Sequence, residues 1–535
     1  MVQAATAGLP AVLTADRGRG KSAALGLAAA ALLAGGARRI VVTAPRRSAT
    51  DALFRHAAER LGLAGAQGDL VASGGGRLRY LAPDQLLRHP PAADLVLVDE
   101  AAALPVPLLA ALLRRDRRIA FATTVHGYEG TGRGFALRFG ATLDRVAPGW
   151  RQVVLTQPVR WRAGDPLEAL LCRALLLDAE PAARLDPAAA VACAVVDQAT
   201  LVADETTLRA LFGLLVQAHY RTTPADLRQL LDAPGVTVHL ARQGAQVAGV
   251  AITIDEGRFD TATAFTVWAG RRRLRGHLVA QSLASHAGLR AAPERALRRV
   301  QRIAVDPRLR RRGIGRQLLA SVAAEARAAG CDLVATSFGM TPDLIEFWHR
   351  VGFTPARVGL RREAASGAHA LMALQPLSPP GTALVNQAAA RLARQLPALL
   401  TGPLADLEPE LASPLAALAA PGEFDRPPDA DDWREAAAFA FGRRGPDSAL
   451  DPLRRVALLL QQDADCPLPE AVARALHARC VAGADWGTVA GLLGVAGRAA
   501  ATERLRAGLR SALRARGDVG LAELIARLAP QDGPP

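Results

Sequence analysis

The sequence predicts an α/β protein of two sheet-and-helix modules followed by a mostly helical tail, and three observations carry that reading. An apolar strand runs through a glycine-rich turn into an alanine-leucine helix around Lys21. A second strand, loop and helix follow the same syntax around Gly313 and Gly315. Beyond about residue 379, apolar residues recur at helical spacing between Pro and Gly pairs. A chain of 535 residues holds three or four domains of about 150 residues each. Half of the residues are hydrophobic and 21% are charged, so each module can bury a core and wholesale disorder is excluded.

No uncharged apolar stretch reaches the length of about 18 residues that a membrane helix needs; Leu25 to Leu33 is too short. The N-terminus lacks a basic region followed by an apolar region and a cleavage site, so no signal peptide is expected. The five cysteines, Cys172, Cys193, Cys331, Cys466 and Cys480, form no CxxC pair. Neither a zinc site nor a disulfide framework is expected, and a reducing cytoplasm is the simplest setting. The net charge of +15 suits a polyanionic partner such as RNA, or a basic surface with no nucleic-acid role.

Lys21 is the single lysine; every other member of the 65 basic residues is an arginine. A bias that strong spares a lysine by chance or where arginine cannot substitute. Lys21 stands in Ala15-Asp16-Arg17-Gly18-Arg19-Gly20-Lys21-Ser22, a Walker A pattern whose first glycine is replaced by Ala15. There a compact ammonium reaches between phosphates where a planar guanidinium is too large.

The first module is expected over residues 1–165. Pro10 to Thr14 reads as a buried strand, and the turn from Asp16 to Ser22 would cradle the phosphates of ATP with backbone N–H groups. Lys21 would reach the β- and γ-phosphates, and the Ser22 hydroxyl would ligate Mg²⁺. Arg39 to Thr43 and Leu95 to Val98 read as further strands, the latter delivering Asp99 and Glu100 at its end. That is a Walker B pattern, with Asp99 on Mg²⁺ and Glu100 on the attacking water, or else an acidic pair that caps the next helix. A strand at Ile119 to Thr123 leads through Thr124 to a glycine-rich loop with Tyr128, Glu129 and Arg133. After the apolar run Val153 to Leu155 comes Gln157-Pro158-Val159-Arg160-Trp161. Arg160 reads as an arginine finger supplied in cis, or as a surface arginine beside a packed Trp161.

Residues 166–195 connect to a second module over 196–378. Val236 to Leu240 and Val247 to Ile252 read as adjacent strands. Arg302-Ile303-Ala304-Val305-Asp306-Pro307 leads into Arg310-Arg311-Arg312-Gly313-Ile314-Gly315-Arg316, a strand and loop opening a helix. This resembles motif A of the GNAT acetyltransferases. Its glycines would let the backbone approach the pyrophosphate of acetyl-CoA at the helix N-terminus, and Ile303 to Val305 would pair with the pantetheine arm. Leu333 to Thr336 reads as a strand, and Leu344 to Arg350 as a helix whose Phe347 and Trp348 pack a core, or else stack on substrate, before Gly352-Phe353.

In the tail, Pro376 to Pro380 reads as a linker, and Trp433 to Phe441, Pro452 to Leu460 and Arg504 to Leu528 as amphipathic helices. Arg498, Arg504, Arg506, Arg510, Arg514 and Arg516 interleave with leucines, as a surface gripping RNA phosphates would or as a solvated helix face would.

Together the motifs resemble the bacterial tRNA(Met) cytidine acetyltransferases over residues 10 to 378. The specific segments are Gly127 to Arg133, Gln157 to Trp161 with Gly164 to Leu167, Ala218-His219-Tyr220-Arg221 to Pro224, Arg275 to Leu283, Ser337 to Gly339, and Ser366 to His369. The resemblance implies a RecA-like P-loop module, a GNAT module and a helical RNA-binding tail. It implies ATP-dependent acetyl transfer from acetyl-CoA to N4 of the wobble cytidine of elongator tRNA(Met). Asp16 to Ser22 and Arg160 would bind nucleotide; Ile303 to Val305, Arg310 to Arg316 and Arg350 would bind acetyl-CoA. His219 matches a proposed catalytic histidine, and a base suits a weakly nucleophilic ring amine; a core or capping histidine fits the pattern as well. The family usually carries a further domain before its P-loop, with a glutamine at the adenine site. Here the P-loop falls within about twenty residues of Met1, as in a shorter branch or a misplaced start. Two other functions fit the same motifs: an ATP-coupled acetyltransferase with another RNA or a protein acceptor, and an RNA-remodelling ATPase with a vestigial GNAT module.

Overall fold

The computed structural model describes residues 2–64, 67–124, 132–219, 222–363, 366–420, 426–462, 468–516 and 518–529, with only the backbone for Ala5 and 132–138. It divides into two compact units, Met1–Ile252 with Arg302–Leu318 and Glu363–Gly367, and Thr253–Gln301 with Leu319–Arg362 and Ala368–Pro535. Among the described residues no helix is long and apolar enough to cross a membrane.

The first sheet contains β1 (Ala11–Ala15), β2 (Arg39–Thr43), β3 (Asp69–Val71), β4 (Arg77–Tyr80), β5 (Leu95–Val98), β6 (Ile119–Thr124) and β7 (Arg151–Leu155). Its order is β3-β4-β2-β5-β6-β1-β7, parallel except for the β3–β4 pair. This is the RecA-like arrangement, with β6 lying between the strand before Lys21 and the strand before Asp99. The central strands are apolar at successive positions because both faces are covered. Leu13, Val42 and Leu97 join Leu25 and Phe54 in one core, while Val12, Val41 and Val98 join Phe121 and Phe139 in the other. The period of two thus sorts one run of residues into two cores. On the first of these faces a Cβ at Gly26 would lie 2.3 Å from the Leu53 carbonyl, so the helices Lys21–Ala34 and Asp51–Arg60 meet backbone to backbone. The helix Gly132–Val146 packs against Glu205–Ala218.

The second sheet contains β8 (Ala192–Val196), β9 (Val236–Gln243), β10 (Gln246–Gly257), β11 (Ala296–Val305), β12 (Leu333–Gly339), β13 (Thr354–Arg362) and β14 (His369–Pro376). Its order is β13-β14-β12-β11-β10-β9-β8, the GNAT arrangement. The parallel register of β11 with β12 runs from Leu297↔Leu333 to Val300↔Thr336, so residues 301–305 extend past the paired stretch. Val238, Leu240, Val250 and Ile252 pack against Leu211, Phe212 and Leu215 of the helix Glu205–Ala218. Trp348 is buried against Phe338 and Phe353, as expected of a core residue.

Pro376 to Pro380, expected as a linker, instead starts a helix. Ser378 caps Pro379–Thr401, its hydroxyl accepting the Gly381 N–H at 3.2 Å, and the prolines fall in the first turn, where no N–H is needed. The helices expected near 433–441 and 452–460 are Ala430–Phe441 and Leu450–Gln462. The segment expected as one helix over 504–528 is two, Gly497–Ala515 and Val519–Leu528, because Asp518 caps a new N-terminus by accepting the Leu521 N–H at 2.9 Å. The tail is pinned by a buried ionic cluster. The Arg455 guanidinium donates to Asp432 at 2.9 and 3.0 Å and to Asp451 at 2.5 and 2.7 Å, all three side chains being at most 4% exposed.

Arg455→Ala is expected to destabilise the protein by about 3–5 kcal/mol, because two buried carboxylates lose their shared cation. Urea unfolding followed by tryptophan emission measures it. A loss below about 1 kcal/mol, the range of exposed pairs, would remove the cluster's structural role.

Candidate functional site

The turn between β1 and the helix Lys21–Ala34 has left-handed backbone at Gly18 (φ 77°) and Gly20 (φ 82°). Glycine is required here twice over, because a Cβ at residue 18 would also lie 2.6 Å from the Trp161 ring. Lys21 is buried, and its ammonium donates to the Asp16 carbonyl at 3.3 Å.

Asp99 is fully buried at the end of β5 and accepts the Glu100 N–H at 2.9 Å on Oδ1, while among the described residues Oδ2 has no hydrogen bond. Burial pushes its carboxyl above the ordinary carboxylate value, against the opposing pull of the Ser22 hydroxyl, the Glu100 N–H and the Lys21 ammonium. Walker A and Walker B residues are therefore brought together. Glu100 is left-handed at φ 48°, a strained conformation for a side chain of its size, and makes no side-chain cap to the short turn Ala101–Ala103. The capping alternative for this acidic pair fails, since Pro105 occupies the N-cap of the following helix Val106–Arg115.

The segment around Arg160 lies on the same turn. The N–H groups of Val159 and Arg160 donate to the Gly18 carbonyl at 3.0 and 3.2 Å. Arg160 is exposed, whereas Trp161 covers Gly18. Glu168, absent from the sequence reading, fixes both neighbours: it accepts the Trp161 indole N–H at 2.8 Å and pairs with Arg19 at 2.8 Å. Asp165 places Glu168 by capping the helix Pro166–Ala174 through the Leu167 and Glu168 N–H groups, at 2.9 and 3.3 Å. The signal for this was Asp-Pro-Leu-Glu, an N-cap, a first-turn proline and an acid in the first turn. Arg17 is partly buried in the turn.

In the second motif, Asp306 accepts the Arg308 backbone N–H at 3.0 Å and closes the turn after β11. Arg311 (φ 61°) and Gly313 (φ 82°) are left-handed on either side of Arg312, and the helix Ile314–Ala328 begins next. Gly313 is required by that backbone, and its carbonyl accepts the Gln317 N–H at 3.0 Å. Gly315 lies in the first turn of the helix. Arg310, Arg311 and Arg316 are exposed around this helix start, but Arg312 is tied to the Pro187 carbonyl. Gly249 lets β10 approach β11 closely, its Cβ position lying 3.2 Å from the Ala304 carbonyl. Arg350 is exposed and pairs with Glu346 at 2.5 Å along its own helix.

His219 is the C-cap of Glu205–Ala218, its N–H donating to the Leu215 carbonyl at 3.0 Å. Tyr220 and Arg221 lie outside the described residues, as does 125–131 with most of the Gly127 to Arg133 segment. Immediately beyond, Arg302 donates to the Thr222 hydroxyl at 3.2 Å and to Asp226 at 2.6 Å. Burial raises the Asp226 carboxyl, but Arg302 and Thr223 outweigh it and hold it below the ordinary value. Arg302 therefore ties Thr222 and Asp226, a few residues beyond His219, to the end of β11, next to Ile303. Sequence reading missed this role because the two residues are some eighty positions apart.

The Arg275 to Leu283 segment is anchored through the start of its helix and through His277. Buried Glu256 accepts the N–H groups of Leu278, Val279 and Ala280 at 3.0, 2.7 and 3.2 Å and also pairs with Arg299. His277 Nδ1 accepts the Gly257 N–H at 3.0 Å.

These features define a chain that joins a P-loop NTPase module to a GNAT-fold module. Residues 12–178 match the helicase domain of the RNA cytidine acetyltransferases NAT10/TcmA, residues 264–355 an acetyltransferase (GNAT) domain, and residues 381–518 a tRNA-binding domain. The tRNA(Met) cytidine acetyltransferase TmcA of Nitrosococcus halophilus is 45% identical over 94% of this chain and 68% of its own. That of Salmonella typhimurium is 40% identical over 98% of this chain and 70% of its own, and that of Yersinia pestis 41% over 84% and 61%. The chain belongs to the tRNA(Met) cytidine acetyltransferase family, and it spans 61% to 70% of the length of these relatives. Among solved structures, a putative GNAT acetyltransferase from Desulfovibrio desulfuricans is similar over 35% of this chain and 100% of its own, at 16% identity and a TM-score of 0.25.

Gly18→Ala is expected to weaken ATP binding at least about tenfold, since it adds about 1 kcal/mol or more of backbone strain to a clash with Trp161. Acetyl-CoA affinity is expected to stay the same, and titration calorimetry with each ligand reads both. Wild-type ATP affinity in the variant would show that the turn does not hold phosphate.

Proposed function

We propose that this protein transfers the acetyl group of acetyl-CoA to N4 of the wobble cytidine of elongator tRNA(Met), in a reaction that uses ATP, in the cytoplasm. The observation that supports it most is the pair of left-handed glycine turns, at Gly18–Gly20 and at Arg311–Gly313, each leading straight into a helix N-terminus within one chain of this family. We take the ATPase module as 1–165, the connector as 166–195, the acetyltransferase module as 196–378 and the tRNA-binding tail as 379–535.

Asp16, Arg17, Gly18, Arg19, Gly20, Lys21 and Ser22 hold the nucleotide phosphates, with Arg160 exposed beside the turn to neutralise charge on the transferred phosphoryl group. The buried Asp99, with an oxygen that accepts no hydrogen bond among the described residues, and the Ser22 hydroxyl fit a Mg²⁺ ion, which would neutralise phosphate charge. Glu100, held next to Asp99, orients the water that attacks the γ-phosphate.

Arg310, Arg311 and Arg316 and the N–H groups from Gly313 through Ile314 to Gly315 hold the diphosphate of acetyl-CoA. Backbone groups of Ile303, Ala304 and Val305 orient its pantetheine arm. Arg312 acts indirectly, by fixing the loop to Pro187. Arg350, exposed on its helix, is a more distant contact of acetyl-CoA. His219 takes the proton from the cytidine N4 as the amine attacks the thioester carbonyl, the carbon–sulfur bond breaks, and His219 returns that proton to the departing thiolate so that coenzyme A leaves as its thiol. Arg302 is a positioning residue, because it touches the loop and not the reacting atoms. ATP hydrolysis serves to splay the target base out of the anticodon stack, which otherwise blocks chemistry on it.

Nucleoside mass spectrometry of tRNA(Met) incubated with the protein, acetyl-CoA and ATP is expected to show N4-acetylcytidine; its absence overturns the proposal. Lys21→Ala is expected to slow its formation about a hundredfold or more with acetyl-CoA binding intact, and equal turnover would sink the ATP requirement. Arg302→Gln is expected to lower kcat about tenfold with the KM for acetyl-CoA within about twofold of wild type. A change in KM alone would place Arg302 with the coenzyme instead.

A further inference from the structure

A cavity of about 300 Å³ lies in the helical tail, lined by Arg290, Trp433, Arg434, Arg516 and Arg527 together with Asp518 and Glu523. Three of its guanidiniums are laid over aromatic rings. Arg516 lies 4.0 Å from the ring centre of Trp433, Arg527 4.3 Å from Phe265, and Arg290 5.0 Å from Trp268. Stacking fixes the guanidinium planes and leaves their N–H edges available to an anion.

The charge at this cavity is not balanced from within. Arg434 is paired with Asp431, but among the described residues no ion pair holds Arg290, Arg516 or Arg527. Asp518 is engaged in capping Leu521, which leaves Glu523 as the other lining carboxylate. Burial, with the like charges of Arg434 and Arg527, holds the Arg290 guanidinium below its ordinary value, and the opposing effects of Asp431 and Glu435 are smaller. Three other arginines of the tail behave differently. Arg498 pairs with Asp447 at 2.8 Å, Arg506 donates to the Arg444 carbonyl at 2.9 Å, and Arg510 donates to the Ala440 carbonyl at 2.8 Å. The arginine-rich helix Gly497–Ala515 therefore spends part of its charge inside the domain, while among the described residues the guanidinium of Arg516, just past its end, is held only by its ring contact.

We propose that this cavity is an RNA site that takes one phosphodiester between Arg290, Arg516 and Arg527, with the adjoining base stacked on the Arg516–Trp433 pair. Its volume suits about one nucleotide, rigid guanidiniums match phosphate geometry, and an arginine–indole pair offers a flat face to any base. The site rests on the reading of this protein as a tRNA modifier. It carries RNA contact to Arg290 and Arg527, both outside the matched tRNA-binding segment 381–518.

The full chain, titrated with tRNA(Met) by fluorescence anisotropy across a salt series, tests it. The double variant Arg516→Gln, Arg527→Gln is expected to bind about tenfold more weakly and to reduce the slope of log Kd against log salt by about one. Trp433→Ala is expected to weaken binding about fivefold or more with the slope kept. Arg498→Gln, which removes an internally paired charge, is expected to leave the curve in place. The charge-keeping double variant Arg516→Lys, Arg527→Lys guards against misfolding: it should keep the salt slope. Wild-type affinity and slope in the folded glutamine double variant overturn the site while leaving the tRNA reading intact. Failure of the wild-type protein to bind tRNA overturns both, and binding of a free nucleoside monophosphate with unmoved tRNA affinity reassigns the cavity to a small ligand.

Discussion

The indole of Trp161 occupies the space where residue 18 would carry a side chain. That exclusion links elements that the chain keeps far apart. It demands glycine at the phosphate turn, and it brings the Arg160 backbone into hydrogen bonding with the Gly18 carbonyl. It also makes Glu168 necessary, since the indole N–H and the Arg19 guanidinium both need a partner where they are partly or largely shielded from water. The cap at Asp165 then sets where Glu168 points. A nucleotide site on a RecA-like sheet is thus completed by a segment some 140 positions downstream, and its shape depends on close packing as much as on charge.

Much of this was legible in the sequence because its signals are local. Both phosphate turns, the acidic strand end and the central strands of each sheet are written in short apolar runs or in a glycine at a fixed offset, whereas β3, β4, β8, β13 and β14, toward the sheet edges, carried no such signal. The chemistry of the lysine also showed through, because the composition left Lys21 as the single residue of its kind. What was not legible depends on distant partners. Arg302 gains its role only when β11 is set beside the loop at Thr222 and Asp226. Glu256 reads as one acid in a polar strand end, yet in the fold it caps one helix and pairs with Arg299. The Pro376 to Pro380 reading failed because proline breaks a helix in its interior but starts one in its first turn, and Ser378 decides which applies.

The tail shows why a count of basic residues overstates what a surface offers to RNA. The sequence left two fates open for its arginines, a phosphate-gripping surface or a solvated face. The structure adds a third: several fold back onto the domain's own carboxylates and carbonyls. Net charge of +15 therefore sums groups already satisfied with groups still seeking an anion. Planar guanidiniums with several donors suit both tasks, which is how an arginine-rich composition can supply structure and recognition together.

The arginine-to-carbonyl ties have a consequence for acid tolerance. Neither a guanidinium nor a peptide oxygen gains or loses a proton in the range where proteins fold, so the links of Arg506, Arg510 and Arg312 to main-chain oxygens do not titrate. Carboxylate links do. Burial raises the Asp429 carboxyl, but the Asp432 N–H and the Arg426 guanidinium outweigh it and draw it down to about 2. Its contribution is complete above the ordinary value near 3.8 and fades as acid carries the solution through about 2. In acid the molecule would come undone first at its aspartates, with its arginine clasps still closed.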